Sequence, residues 1–238
     1  MPVEPVGPAR PVEPVGLLEG MATMRSVRRY RDEPIPDEDL ATILWHASRA
    51  PSGSNRQPFR FLVLRDGERA REAKALLGET FRRGWARKDD LERLTAHEPG
   101  SAKARAAAAM QHFVEHVEQI PAIVLVGLVR YRDPNPYEGG SVYPACQNLL
   151  LAARALGYGG ALTMWHLFVE DRLRELLEIP PEVALSACIT LGRPLGGHGP
   201  VRRRPLDQLV FEDRWDGPAA WAIDPPGTAT TSWRPARS

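Results

Sequence analysis

Cysteine is nearly missing from this chain: of 238 residues only Cys146 and Cys188 carry a thiol, each in an apolar context. No disulfide framework and no cysteine metal site follow from so few, and a reducing compartment is the expectation. Excess charge of one sign is missing too, since 31 basic and 30 acidic side chains leave a formal net charge of +1. That balance argues against a general nucleic-acid or membrane footprint. No apolar run nears the ~20 residues of a membrane span, and the start lacks the basic-then-apolar order of a secretion signal. The expectation is a soluble cytoplasmic protein with no nucleic-acid and no membrane partner. Its length suits one sizeable core and about one domain.

Proline, by contrast, is plentiful, and much of it lies at the ends. The first twenty residues hold Pro-Val-Glu-Pro-Val-Gly twice, at 2–7 and 11–16. That density predicts an extended, disordered leader over 1–20. Residues 216–238 are again rich in Pro, Gly and Thr but carry Trp221 and Trp233, which a wholly solvated tail does not need. This C-terminal extension is expected to pack across the body, residues 21–215, or across a partner subunit.

Helix and strand signals alternate between these ends. An amphipathic helix is predicted over 37–49, with Asp37 as N-cap and Leu40, Ile43, Leu44 and Ala47 on one face. A long helical region rich in Ala, Arg and Glu follows over 67–119, broken near Pro99-Gly100. Strands are predicted at 59–64, 122–129 and 183–191. The stretch 143–156 is apolar nearly all round, the pattern of a helix buried against a core or a second subunit. A short helix at 171–177 is stopped by Pro180-Pro181. Helices flanking a small sheet make an α+β domain, and the glycines at 157–160 do not spell the Gly-x-Gly-x-x-Gly of a dinucleotide fold.

The most informative segment is Ala50-Pro51-Ser52-Gly53-Ser54-Asn55-Arg56-Gln57-Pro58-Phe59. Two prolines bracket small polar residues, so it is neither helix interior nor central strand. The loop clusters donors, among them Ser52, the Asn55 amide and the Gly53 N–H, and its glycine lets a ligand approach closely. Taken alone, such a stretch is equally an ordinary turn. Upstream lie Arg25-Ser26-Val27-Arg28-Arg29-Tyr30 and Pro34-Ile35-Pro36; downstream lie the 147–159 helix with its glycine turn, Leu191-Gly192-Arg193-Pro194 and Arg203-Arg204-Pro205-Leu206. In this order, from about Met21 to Trp215, the motifs resemble the FMN-dependent nitroreductase family.

The resemblance implies a nitroreductase-like α+β fold, a small mostly antiparallel sheet flanked by helices, in an intertwined homodimer. It implies bound FMN, with NAD(P)H as co-substrate and a nitroaromatic, quinone or other conjugated small molecule as electron acceptor. Arg25, Ser26, Arg28 and the distal Arg203 would grip the FMN phosphate, for which paired guanidinium groups are suited. Pro51, Ser52, Gly53 and Asn55 would reach the flavin from the partner subunit. Leu162, Thr163 and Met164 would lie against the flavin, with the Thr163 hydroxyl and the Met164 amide as donors to N5. The family often has an arginine where this chain has Met24, which implies either a lower phosphate affinity or compensation by Arg29 or Arg202. Acceptor choice would fall to 81–97, with Trp85 as a lid aromatic and His166 as a possible substrate contact.

Two other readings stand beside this one. A flavin-binding protein for storage or regulation would share the same cofactor residues. His112-x-x-Glu115-His116 also matches the inverted zincin pattern of a zinc hydrolase, although the sequence nominates no third ligand and the expected metal set is none.

Overall fold

The computed structural model describes residues 15–231 other than 94, 96 and 99. One four-stranded sheet organises it: β1 (Phe59–Leu64), β2 (Ala122–Val129), β3 (Gly159–Thr163) and β4 (Val183–Gly192), in the order β1-β2-β4-β3 with every neighbour antiparallel. The helices are α1 (Leu17–Thr23), α2 (Asp37–Ala47), α3 (Glu68–Glu92), α4 (Ala102–Glu115), α5 (Tyr143–Ala155) and α6 (Glu170–Leu177).

β2 explains why its sequence is an unbroken apolar run. Its side chains alternate between two faces, and both faces are covered. Val124, Val126 and Leu128 enter a core with Ile43 of α2, Leu149 of α5 and Ile189 of β4. Ile123 and Leu125 enter a second core with Leu77 and Phe81 of α3, Phe113 of α4 and Leu173 of α6. α2 and α5 thus cover one face, and α3, α4 and α6 the other. The expected α+β architecture with a small antiparallel sheet is what the chain adopts.

Several elements keep their expected bounds, and the differences have local causes. The break near 99–100 falls between α3 and α4, where Ser101 Oγ accepts the Ala104 N–H at 3.0 Å and caps α4. Asp37 is not the N-cap but the first helical residue; Pro36, at φ −56°, sits in the cap position, where its locked ring suits a helix entry. α1 occupies 17–23, so the expectation of an extended, disordered chain does not hold for residues 17–20. Residues 1–14 and Trp233 lie outside the described residues. Trp221, 63% exposed, donates to Glu212 Oε1 at 3.1 Å, while Ala219 and Ala222 are buried. No helix among the described residues is long and apolar enough to cross a membrane.

Candidate functional site

Residues 24–30 leave α1 and run along the outer edge of β3. Val27 N–H donates to Gly160 O at 2.9 Å, Ser26 bridges Gly160, and Tyr30 bridges Pro194. The Tyr30 hydroxyl is hydrogen-bonded to Val27 O at 2.5 Å and Thr190 Oγ1 at 2.7 Å, and burial pushes its pKa up. Gly159 makes the approach possible. A Cβ there would stand 3.0 Å from Val27 Cβ and closer still to its Cγ2, holding Val27 off the sheet edge. Gly160 serves a different contact: a Cβ on it would press on the Thr190 carbonyl of β4 and on Leu150 of α5.

So held, Arg25, Ser26 and Arg28 line a cavity of about 630 Å³. Arg29, Arg105 and Arg202 share its wall, together with small residues of α4, and among the described residues no Asp or Glu lines it. Arg28 is exposed as a whole but sits in a recess, and burial followed by its neighbour Arg25 lowers its pKa. This is a cationic recess of small-molecule size.

Arg203 does not line it. Its backbone bridges Thr230, its carbonyl accepts from Thr231 N–H at 2.7 Å, and its guanidinium donates to Arg202 O at 2.9 Å. Arg202, one residue earlier, takes the place at the cavity wall. Leu162, Thr163 and Met164 close β3 and begin the turn beyond it. Thr163 Oγ1 accepts the Trp165 N–H at 3.3 Å. That leaves the hydroxyl proton to be given elsewhere. From Gly160 to Thr163 the edge strand runs about 10 Å at its usual rise.

Two aromatic expectations are corrected. Trp85 is not a lid residue: it is 5% exposed, packed in the second core, and its Nε1–H donates to Gln111 Oε1 at 2.5 Å. The spacing of Leu77, Phe81 and Trp85, four residues apart on α3, is the signal that places it on the buried face. His166 is fully buried, with Nε2 3.3 Å from Leu185 O, and cannot touch a substrate; burial lowers its pKa. The surface beside Thr163 is instead offered by Leu162, Leu167 and Phe168, the last 71% exposed.

The loop after α2 forms a short 3-10 turn at Gly53–Asn55. Ser54, Asn55 and Gln57 all have φ of 51° to 52°, a left-handed conformation that side chains disfavour. Gln57 N–H on Ser52 Oγ at 2.9 Å and Gly53 N–H on Ser141 Oγ at 3.0 Å hold the shape. Gly53 N–H is therefore already engaged, and the Ser52 hydroxyl proton and Asn55 amide remain to be offered. Pro51, Gly53 and Asn55 are exposed.

The loop and the arginine cavity stand at diagonal corners of the sheet. The loop leads into Phe59 of edge strand β1, opposite Leu128, whereas Ser26 pairs with Gly160 of the other edge, level with Leu191 and Ala122. Three strand spacings across and six residues along β2 separate them by more than about 20 Å. Within one chain they do not form one site.

His112 and His116 stack with ring centroids 4.0 Å apart, and His116 Nδ1 is bound to the His112 carbonyl. Glu115 accepts from Gln111 Nε2 at 2.6 Å. Among the described residues no three His, Cys, Asp or Glu side chains are grouped to hold a metal.

The fold and this recess define an α+β protein with an arginine-lined cavity at the edge of an antiparallel sheet. The sequence profile of the Nitroreductase family matches residues 21–193, and the chain belongs to that family. A "NADH dehydrogenase" of Thermus thermophilus is 31% identical over 200 residues, covering 79% of this chain and 91% of its own. A Desulfovibrio desulfuricans protein described as a nitroreductase, solved in complex with FMN, is 30% identical with a TM-score of 0.60, covering 84% of this chain and 97% of its own. An iodotyrosine deiodinase bound to FMN and 3-iodo-L-tyrosine is 27% identical with a TM-score of 0.58, covering 79% and 95%.

Proposed function

We propose that the protein is an FMN-dependent oxidoreductase of the nitroreductase type, passing hydride from NAD(P)H to a nitroaromatic, quinone or similar flat acceptor as a homodimer. One observation carries the reading: a cluster of guanidinium groups with no acid in its wall, held against the Gly160 end of β3 while Thr163 and Met164 stand at the other end. The residues fit the cofactor. Arg25, Ser26 and Arg28 supply two forked cations and a hydroxyl to a phosphate monoester. The Thr163 hydroxyl and the Met164 amide are the donors offered to the flavin ring. FMN, when bound, supplies the two-electron chemistry, taking hydride from the nicotinamide and delivering it to the acceptor. The chain's part is to anchor the phosphate, to donate at the ring, and to leave the apolar face beside Phe168 open for flat molecules.

The diagonal separation of loop and cavity supports the dimer, because Pro51, Ser52, Gly53 and Asn55 of one protomer can then complete the site of the other. An apolar recess of about 350 Å³ between α1, α2 and α5, lined by Leu17, Leu151 and Ala155, offers the docking face, with exposed Trp45 beside it.

The test is the visible spectrum of the dialysed protein, followed by anaerobic NADPH and NADH and then a nitroaromatic or quinone. Bound flavin that bleaches with a donor and recovers its colour with the acceptor supports the reading. Flavin that stays oxidised indicates a storage or regulatory role, and a colourless protein that does not take up added FMN refutes the cofactor assignment.

A further inference from the structure

The cavity holds more positive charge than one flavin phosphate can use. Among the described residues five arginines line it, Arg25, Arg28, Arg29, Arg105 and Arg202, and no Asp or Glu does. A phosphate monoester brings about two negative charges, which leaves roughly three cations facing one another. Like charges held together without a counter-charge are destabilising. Arg25, Arg28 and Arg29 come from 24–30, Arg105 from α4 and Arg202 from beyond β4. Arg105 also donates to Gly100 O. α4 otherwise presents only Ala102, Ala106 and Ala109 to the cavity, which leave it open. A volume of about 630 Å³ is that of a small-molecule site rather than of a single phosphate group.

We propose that Arg29 and Arg105, with Arg202 closing the wall, seat a second phosphate monoester beside the flavin phosphate: the 2′-phosphate of NADPH. The assignment rests on the oxidoreductase reading above and names its donor. NADH, lacking that group, leaves the α4 side of the cavity without a counter-charge. The chemistry discriminates in one direction only, because a site built for an anion gains nothing from a hydroxyl in its place.

The test uses the FMN-loaded protein and two readouts. Adenosine 2′,5′-bisphosphate should bind at least ~10-fold tighter than 5′-AMP, the scale of one charge-assisted hydrogen bond, and Arg105→Ala should bring the two within about twofold. In anaerobic stopped flow NADPH should reduce the flavin at least ~10-fold more efficiently than NADH. Compared at full FMN loading, Arg105→Ala should lower the NADPH efficiency at least ~10-fold more than the NADH efficiency. Equal binding of the two nucleotides, or an equal loss with both donors, overturns the assignment. An effect of Arg105→Ala confined to reoxidation by 4-nitrobenzoate and absent with nitrobenzene also overturns it, since the charge then serves an anionic acceptor. Bleaching by both donors with equal efficiency refutes this inference alone, whereas bleaching by neither refutes the oxidoreductase reading and this one with it.

Discussion

Arg28→Ala separates holding the cofactor from holding the fold. Arg28 is exposed, forms none of the ion pairs found among the described residues, and sits beside the like-charged Arg25. Its removal breaks no core contact and relieves some repulsion, so stability against urea should move by less than about 0.5 kcal/mol. The phosphate, however, loses a forked donor. A hydrogen bond to a charged group contributes about 1.5–3 kcal/mol, and at about 1.4 kcal/mol per decade FMN affinity should fall ~10- to 100-fold. Flavin-fluorescence titration of deflavinated protein measures this, and riboflavin, which has no phosphate, is the control. FMN weakened with riboflavin unchanged supports the grip. FMN binding within twofold of the original, or equal weakening of both ligands, would show that Arg28 does not hold a phosphate.

Three further outcomes follow from the geometry. Gly159→Ala drives a methyl into Val27 between Arg25 and Arg28; a destabilisation of about 1–3 kcal/mol in urea, with weaker FMN binding, is expected, and unchanged FMN affinity would detach the grip from β3. His112, His166 and His198 all have pKa values lowered first by burial, so the unfolded chain binds their protons more readily. Stability should hold above the ordinary histidine value of about 6.5 and decline as pH falls from there through the lower folded values. The buried His166 contributes up to about 1.4 kcal/mol per pH unit, so urea midpoints in His166→Gln should lose part of this slope. Leu151→Arg places a charge in the apolar recess; sedimentation should report a monomer that keeps its far-ultraviolet helix signal and loses FMN, and a monomer that retains FMN would contradict a shared site.

The parts of the fold legible in the sequence are those decided locally. β2 could be bounded because an eight-residue apolar run buried on both faces has few alternatives, and the α3–α4 break because glycine and proline interrupt a helix. β3 could not be seen, because it opens with Gly-Gly, a pair that weakens strand propensity; Gly159 gives room to Val27 and Gly160 to the Thr190 carbonyl and Leu150. The arginines divide the same way. That 25–29 forms a cationic cluster is written in the segment itself. Which of Arg202 and Arg203 faces the cavity depends on a bridge to Thr230, 27 residues beyond Arg203, and no local pattern carries it. Trp85 was open to correction from sequence, since its spacing with Leu77 and Phe81 marks a core face, but its Arg- and Glu-rich surroundings suggest a surface helix.

The loop at 51–57 gives a further reason to look beyond one chain. Three non-glycine residues in the left-handed region cost about 1–3 kcal/mol each. Such backbone persists only where its surroundings hold it, here through Ser52, Gln57 and Ser141. Yet this bent loop is exposed at Pro51, Gly53 and Asn55, supplies no residue to the lining of the arginine cavity, and stands across the sheet from it. A shape maintained at that cost on an exposed corner makes physical sense if another body uses it. The complementary lack sits on the opposite corner, where the arginine cavity and Thr163 have no such loop beside them. In the proposed dimer, a second copy docked through α1, α2 and α5 would bring each corner what it lacks. On this reasoning dimerisation and cofactor binding are a single equilibrium, so added FMN should raise the protein's resistance to dilution as well as to urea.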